Sequence, residues 1–305
     1  MQIGMIGLGK MGANMATRLC RANIHVVGYD ASGKSVDALI NEPGFDGAYS
    51  LDALLNALPL PRKVWVMLPA GKATNQTLDE LRLKMAPGDL VVNGGNSYYK
   101  ETVTAAEAFR LAEIQFVDAG VSGGVHGLEN GYCMMVGGES TAIQRLARTL
   151  TALAPHPNQW LHTGPCGAGH YVKMIHNGIE YGMMQAYAEG FALLAAKREF
   201  DLDVGAIAEN WRQGSVVRSW LLDLTAKFLK DDQELVGIAP LVPDSGEGRW
   251  TAMEAIELGI PAPVMSLALM SRFASQGHDE YEAKLLAMMR KGFGGHSVTK
   301  QEGEK

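Results

Sequence analysis

The sequence predicts an α/β domain built on a doubly wound, mostly parallel sheet, followed by an all-α domain. Three observations carry that expectation. Short apolar runs alternate with helical patterns through the first half. No convincing strand follows Gly169. The length of 305 residues suits two domains, each large enough to bury a core.

The strand candidates are Gln2–Ile6, His25–Tyr29, Lys63–Leu68, Leu90–Asn93, Gln115–Asp118 and Tyr132–Val136. They are near-continuous apolar runs, as expected of parallel strands covered on both faces. Between them, helical spacing marks Lys10–Arg21, Lys34–Asn41, Gly71–Met85, Lys100–Ala112 and Thr141–Leu153. Ala154-Pro155-His156-Pro157 breaks the last of these, and Thr163–Gly169 reads as a boundary turn. Apolar residues then recur at helical spacing over His170–Lys197, a helix of roughly 40 Å expected to be largely buried. Further helices are expected at Asp203–Gln213, Ser219–Lys230, Glu247–Leu258, Pro261–Ser275 and Glu280–Arg290. The expected division is 1–165 for the α/β domain and 166–296 for the helical domain, with 297–305 a polar, disordered tail.

Composition narrows the function classes. Lys plus Arg number 27 and Asp plus Glu 33, a net charge of −6, and no Lys/Arg-rich block occurs. That argues against a nucleic-acid or membrane partner. Hydrophobic content of 47% and charged content of 20% argue against disorder. Cys20, Cys133 and Cys166 are widely spaced, with no CxxC and no Cys/His cluster, so neither a disulfide framework nor a metal site is expected. The start, Met1-Gln2-Ile3-Gly4, lacks a basic leader region, and no apolar stretch reaches about 18 residues. A cytoplasmic protein is the expectation.

Gly7-Leu8-Gly9-Lys10-Met11-Gly12 is a GxGxxG between a strand and a helix, and Asp30 ends the next strand at about the 20-residue spacing of a dinucleotide fold. This makes the first domain Rossmann-type. Gly7 suits the tight turn, Gly9 the approach of a pyrophosphate, and Gly12 the packing of helix on strand. The helix N-terminus offers free N–H groups to phosphate. Asp30 can accept hydrogen bonds from a ribose 2′-OH but repels a 2′-phosphate, and no Arg adjoins it, so NAD is expected over NADP. Leu68 and Pro69, where the third strand candidate ends, are expected beside the same cofactor.

Two further Gly-rich loops, Asn93-Gly94-Gly95-Asn96-Ser97 and Ser122-Gly123-Gly124, follow strand candidates at the carboxyl edge, where such sheets hold ligands. Taken alone, each such loop is more often just a turn. The long helix carries Lys173, His176, Asn177 and Glu180 at spacings i, i+3, i+4 and i+7, hence on one face. On spacing alone a solvated charged stripe with a Lys–Glu contact is the first reading, ahead of a catalytic face.

These residues together resemble one family. Gly7–Gly12, Asn93–Ser97, Val121–Gly124 and the run Gly167–Gly182 are similar to the 6-phosphogluconate dehydrogenases, within the wider β-hydroxyacid dehydrogenase family. The similarity continues through Gly248-Arg249-Trp250-Thr251-Ala252 and ends in Arg290–His296. The length matches the short bacterial branch. The resemblance implies NAD-dependent oxidative decarboxylation of 6-phosphogluconate to ribulose 5-phosphate and CO2, without a metal.

It also implies roles residue by residue. Lys173 matches the base that takes the 3-hydroxyl proton, and Glu180 the acid that protonates C1 of the enediol. Asn96, Ser122, Gly123, Gly124, His176 and Asn177 match positions that hold the carboxylate and hydroxyls, with Asn96 bordering the nicotinamide as well. Tyr181, Arg249, Arg272 and Arg290 match the phosphate pocket, with His296 nearby. Guanidinium groups suit phosphate because their donors are planar and paired. Arg290 and His296 match a segment that reaches the neighbouring subunit's site, so a homo-oligomer is implied. Asn93, Arg249, His126 and Asn130 depart from residues common in the family, where Asp, Lys, Trp and Arg are more usual.

Two alternatives stay open at this level. One is a related dehydrogenase for a substrate without phosphate, such as 3-hydroxyisobutyrate, which also uses a Lys on this helix with an Asn four residues on. Glu180 and the Arg set speak against it. The other is a non-catalytic NADH-sensing protein, in which the Lys173/Glu180 pair would serve no purpose.

Overall fold

The computed structural model describes residues 1–157, 159–294 and 297. The chain divides into two compact units, Met1–His176 and Asn177–Lys305. The strands of the first unit are β1 Gln2–Ile6, β2 His25–Tyr29, β3 Phe45–Ala48, β4 Lys63–Val66, β5 Leu90–Asn93, β6 Gln115–Ser122, β7 Cys133–Gly138 and β8 Trp160–Gly164. They form one eight-stranded sheet in the order β3-β2-β1-β4-β5-β6-β7-β8. Its main helices are α1 Lys10–Arg21, α2 Gly33–Asp37, α3 Leu51–Ala57, α4 Lys72–Lys84, α5 Tyr99–Leu111, α6 Gly127–Asn130 and α7 Ser140–Leu153.

Alternating strand residues feed two cores, one on each face of the sheet. Ile3, Met5, Val26, Trp65, Val92 and Val117 pack with Met15 and Leu19 of α1 and Ile143, Leu146 and Leu150 of α7. Ile6, Val27, Val64, Val66, Val91 and Phe116 pack with Leu54, Leu55, Leu78, Leu81 and Phe109 of α3, α4 and α5. This double burial is why the strands read as continuous apolar runs.

The register aligns the strand ends that matter. Ile6 pairs with Tyr29 and with Val66, Val66 with Asn93, and Asn93 with Asp118. The segments that follow Ile6, Tyr29, Val66 and Asn93 therefore leave one edge of the sheet.

The structure extends and corrects the sequence reading in several places. β7 runs antiparallel to β6, while β8 is parallel to β7. Between β6 and β7 lie only a 3-10 turn at Gly124–His126 and the short α6, too little chain for a parallel crossover. β3, α3 and β8 were not expected. β3 carries Asp46 and Gly47, poor strand formers, and no residue of β8 is fully buried, so neither shows a clear apolar pattern. α2 stops at Asp37, short of the expected Asn41.

α8, Ala168–Ala196, starts in the first unit and continues into the second. The first turns of α8 pack on the sheet and belong to the first unit. A Cβ on Gly169 would lie 2.5 Å from the Met135 carbonyl oxygen and 2.8 Å from that of Asp118. The expectation of a largely buried helix fails on one side: Val172, Ile179, Met183 and Met184 are exposed, Ile179 by 52%. The helix is apolar around most of its circumference, and part of that surface stays exposed.

In the second unit the described elements are helical: α9 Val204–Trp211, α10 Trp220–Asp231, α11 Glu247–Leu258, α12 Pro263–Ser275 and α13 Glu280–Gly294. Asp203 and Ser219 cap α9 and α10 by accepting from the N–H groups of Ala206 and Leu222. Val204, Ala208, Leu222, Ala226 and Leu229 form one small core, and Tyr181, Ala268 and Leu269 another. The expected tail, 297–305, lies outside the described residues except for residue 297. Among the described residues no helix is long and apolar enough to cross a membrane.

Candidate active site

The cofactor loop is built as its glycines predict. Gly7 has φ +90°, a conformation that L side chains rarely adopt, and its Cβ would lie 2.4 Å from the Met67 carbonyl oxygen. A Cβ on Gly12 would lie 1.9 Å from the Gly7 carbonyl oxygen, so only glycine lets α1 start this close to the loop. A Cβ on Gly9 would meet nothing within 4 Å, so this stretch of backbone is open to approach. The first turn of α1 has no side-chain cap and no acidic residue, which leaves its N–H groups and positive dipole end for an anion.

Asp30 follows β2 and joins this loop directly. Its Oδ2 accepts from the Leu8 N–H at 2.7 Å, and its Oδ1 accepts from the Ser32 N–H at 2.8 Å. Each oxygen keeps a further lone pair for a hydroxyl. These residues fit a dinucleotide. The Leu8 side chain is buried, so this residue can meet a ligand only through its backbone, while Lys10 is exposed. Leu68 and Pro69 are pinned by Thr74 of α4, whose hydroxyl lies 2.8 Å from the Pro69 carbonyl oxygen. The Leu68 carbonyl oxygen is also what a Cβ on Gly95 would strike, at 2.6 Å, which seats that turn against the next loop.

That next loop is organised by two asparagines. Buried Asn93 donates to Ser97 Oγ at 3.1 Å and accepts from the Gly95 N–H at 3.0 Å. Asn96 has φ +51°, a conformation Asn tolerates better than most residues. Its amide donates to the Val121 carbonyl at 3.0 Å and accepts from the Val121 N–H at 2.9 Å. It thus clamps the loop after β5 to β6, one residue before Ser122. This clamping role was not legible in sequence.

Ser122 ends β6, and Gly123 and Gly124 follow with φ of +137° and +52°. The segment beyond them hangs on α1. Asn14 donates to the Val125 carbonyl at 3.1 Å, and Arg18 donates to the carbonyls of Leu128, Ala152 and Ala154. Asn14 and Arg18 are missed by sequence reasoning, since nothing in a GxGxxG helix announces such distant partners. His126 and Asn130 are exposed on this segment.

Lys173 stands on α8 over β6. It is only 5% exposed, and a Cβ on the strand residue Gly120 would lie 2.5 Å from its own Cβ. Its Nζ lies 3.5 Å from His176 Nδ1. The start of α8 is held by Asp118, a fully buried carboxylate that accepts from the N–H groups of Gly167 at 2.7 Å and His170 at 2.8 Å. Lys173, Gly120, Val121, Asn96 and Ser122 therefore form one contiguous group in the first unit.

The second unit holds another group. Buried Asn177 donates to Glu247 Oε2, and Ser245 Oγ lies 3.3 Å from the same oxygen. Glu180 is half-buried. The Tyr181 hydroxyl lies 3.1 Å from Ser245 Oγ and donates to Asp244 Oδ1 at 3.5 Å. The Arg272 guanidinium stacks 3.5 Å from the centre of the Tyr181 ring and donates to the Pro243 carbonyl at 2.8 Å. Arg249 stacks on Phe273 at 4.5 Å and pairs with Asp244 Oδ2. Tyr181, Arg249 and Arg272 thus gather around residues 243–245. Among the described residues, Arg290 on α13 is exposed and makes none of these contacts. His296 lies outside the described residues. Among the described residues no group of three His, Cys, Asp or Glu could hold a metal ion.

Chemically, the first group offers an anion-binding helix end, an acceptor for ribose hydroxyls and a buried amine. The second offers two stacked guanidiniums beside a phenol, a carboxyl and an amide.

Comparison with known proteins identifies the family of each half of the chain. Residues 2–164 match the family model for the NAD binding domain of 6-phosphogluconate dehydrogenase, and residues 169–304 match that for the 6-phosphogluconate dehydrogenase C-terminal domain. A Haloferax volcanii NAD(+)-dependent, decarboxylating 6-phosphogluconate dehydrogenase is 41% identical over 303 residues, covering 99% of this chain and 100% of that one. The solved Plasmodium falciparum 6-phosphogluconate dehydrogenase superposes with a TM-score of 0.83 at 27% identity, over 100% of this chain and 67% of that one. A 3-hydroxyisobutyrate dehydrogenase from Salmonella typhimurium shares the fold, with a TM-score of 0.73 at 22% identity over 90% of this chain and 94% of that one. With both halves matched, and a full-length relative at that identity, the chain belongs to the 6-phosphogluconate dehydrogenase family.

Proposed function

We propose that the protein catalyses the NAD-dependent oxidative decarboxylation of 6-phosphogluconate to ribulose 5-phosphate and CO2. The observation that carries this reading is Lys173: a lysine buried on α8, against the strand that Asn96 clamps at the cofactor edge of the sheet. NAD, when bound, supplies the acceptor for the hydride that leaves C3. Lys173 accepts the 3-hydroxyl proton as that hydride leaves, so the C3–O bond becomes a carbonyl. The carbonyl then takes up the electrons of the breaking C1–C2 bond as CO2 departs, and Lys173 returns its proton to the enolate oxygen. Glu180 protonates C1 of the enediol. Asn96, Ser122, Gly123, Gly124, His176 and Asn177 hold the carboxylate and hydroxyls.

Tyr181, Arg249 and Arg272 take the phosphate. Their clustering around residues 243–245 supports a phosphorylated substrate over 3-hydroxyisobutyrate. Asp30 sets NAD above NADP, because a carboxylate already fixed by Leu8 and Ser32 has no room for a second anion.

The protein acts as a homo-oligomer. Val172, Ile179, Ile256, Val264 and Leu267 are exposed apolar residues on helices, and a second copy would remove them from water. Arg290 and His296 contribute to the neighbouring copy's site. The protein works in the cytoplasm.

The deciding assay is absorbance at the NADH band with 6-phosphogluconate, gluconate and 3-hydroxyisobutyrate, each with NAD and with NADP. Turnover confined to 6-phosphogluconate and faster with NAD is expected. Turnover of 3-hydroxyisobutyrate alone would overturn the substrate reading. Normal turnover by Lys173→Met would overturn the base assignment.

A further inference from the structure

We propose that His170 is a positioning residue for the reaction, locking the first turn of α8, and so Lys173, to the loop that carries Asn96. The proposal rests on the assignment of Lys173 as the base.

Among the described residues His170 is the one buried histidine the reaction does not use, 1% exposed and one helical turn before Lys173. It grips two elements at once. Its backbone N–H donates to Asp118 Oδ2 on β6 at 2.8 Å. Its ring Nδ1 lies 2.7 Å from Thr102 Oγ1. Thr102 is buried on α5, the helix that leaves the Asn93–Ser97 loop, and its hydroxyl also lies 3.2 Å from the Tyr98 carbonyl oxygen. The side-chain bond therefore links α8 to α5 immediately behind the loop, while Asp118 links α8 to the sheet.

The geometry gives this link a purpose. Asn96 is bonded to Val121, and Lys173 sits on Gly120, the adjoining strand residue. Hydride loss toward the cofactor loop and proton loss toward Lys173 must be aligned to a fraction of an ångström, because a displacement of about 1 Å can cost roughly 100-fold in rate. A helix that begins at Ala168 and is anchored only through its backbone could still rotate about its axis. A side-chain bond to α5 opposes that rotation.

The choice of residue points the same way. Burial holds the His170 pKa below its ordinary value, against the Asp118 carboxylate and the nearby backbone of Asn93 and Ala119, so the ring is neutral. Its Nε2 has no hydrogen bond among the described residues. An apolar side chain of similar size would fill the space without leaving a buried polar atom unmatched. What it could not do is bond Thr102.

The test uses the full-length protein with Thr102→Val, Thr102→Ser, His170→Leu and Lys173→Met. Thr102→Val keeps the shape and removes the hydroxyl, whereas Thr102→Ser keeps the hydroxyl. We expect Thr102→Val and His170→Leu to lower kcat about tenfold. The dissociation constant for NAD should stay within about twofold, since the cofactor loop and Asp30 are untouched. The isotope effect with substrate deuterated at C3 should rise, and Thr102→Ser should recover most of kcat.

Parental kcat in Thr102→Val overturns the proposal. So does a Thr102→Ser as slow as Thr102→Val, or NAD affinity falling in step with kcat. If His170→Leu does not fold, the Thr102 pair decides. Parental turnover in Lys173→Met overturns the base assignment beneath the proposal. An inactive Lys173→Met beside an unimpaired Thr102→Val overturns the positioning role alone.

Discussion

Lys173 packs its Cβ against the backbone of Gly120 so closely that a methyl group at Gly120 would lie 2.5 Å from it and 2.7 Å from the Gly169 carbonyl oxygen. Neither obstacle is the flexible end of a side chain, so α8 must move to admit a methyl. Gly120→Ala is expected to destabilise the protein by about 1–3 kcal/mol, the usual range for overpacking. It should lower kcat by roughly 100-fold through displacement of Lys173. Steady-state kinetics beside thermal unfolding check this. A variant with kcat within about threefold of the parent would show that the lysine need not be seated on this strand.

The three cysteines should differ in reactivity. Cys133 is exposed, while burial pushes the thiols of Cys20 and Cys166 up to about 11 and about 12. Cys166 is further held as a thiol by donating to the Phe116 carbonyl at 3.2 Å. Only the thiolate is nucleophilic, and a raised pKa leaves it scarce at neutral pH. Iodoacetamide on the native protein should therefore label Cys133 first, with Cys20 and Cys166 following only on unfolding. Labelling of Cys166 at the rate of Cys133, read by peptide mass spectrometry, would contradict the raised pKa of this half-buried thiol.

The sequence made the sheet's central strands legible because burial on both faces writes itself as apolar runs, as at His25–Tyr29 and Leu90–Asn93. β3 and β8 escaped because Asp46, Gly47 and the partly exposed Trp160–Gly164 break that signal. The cofactor loop was readable because glycine spacing is a local consequence of backbone geometry. The partners of Asn96, Arg18 and His170 were not, because each reaches an atom far away in the chain, at Val121, Ala154 and Thr102. Local pattern carries no information on such closures. The exposed side of α8 is illegible in the sequence for a related reason. Apolar spacing all round a helix marks it as a burial candidate but does not say which side its neighbours reach.

Asp30 should decide cofactor choice. Its carboxylate accepts from the backbone of Leu8 and Ser32, so Asp30→Ala removes a ribose acceptor and also leaves two N–H groups unmatched. A loss of about 1–3 kcal/mol is expected, hence a fall in kcat/KM for NAD of roughly 10- to 100-fold. NADP should suffer less, because the same change removes the repulsion of its 2′-phosphate. Parallel assays with both cofactors measure the ratio. Equal losses would mean that Asp30 only holds the loop.

Arg272 should act on the substrate and not on the cofactor. Its guanidinium lies flat against Tyr181 and is aimed by the Pro243 carbonyl, a geometry that needs a planar fork. Arg272→Lys keeps the charge but loses both the stack and the paired donors. KM for 6-phosphogluconate should rise about tenfold or more, in line with about 1.5–3 kcal/mol for a hydrogen bond to a charged group. The dissociation constant for NAD should not change. Arg249→Lys should be milder, since Arg249 shares its charge with Asp244 and a lysine can keep that pair. Added inorganic phosphate should inhibit the parent competitively and the Arg272 variant less. If Arg272→Lys leaves KM and phosphate inhibition as in the parent, the stacked arginine has no part in holding the phosphate, and Arg249 must be tested in its place.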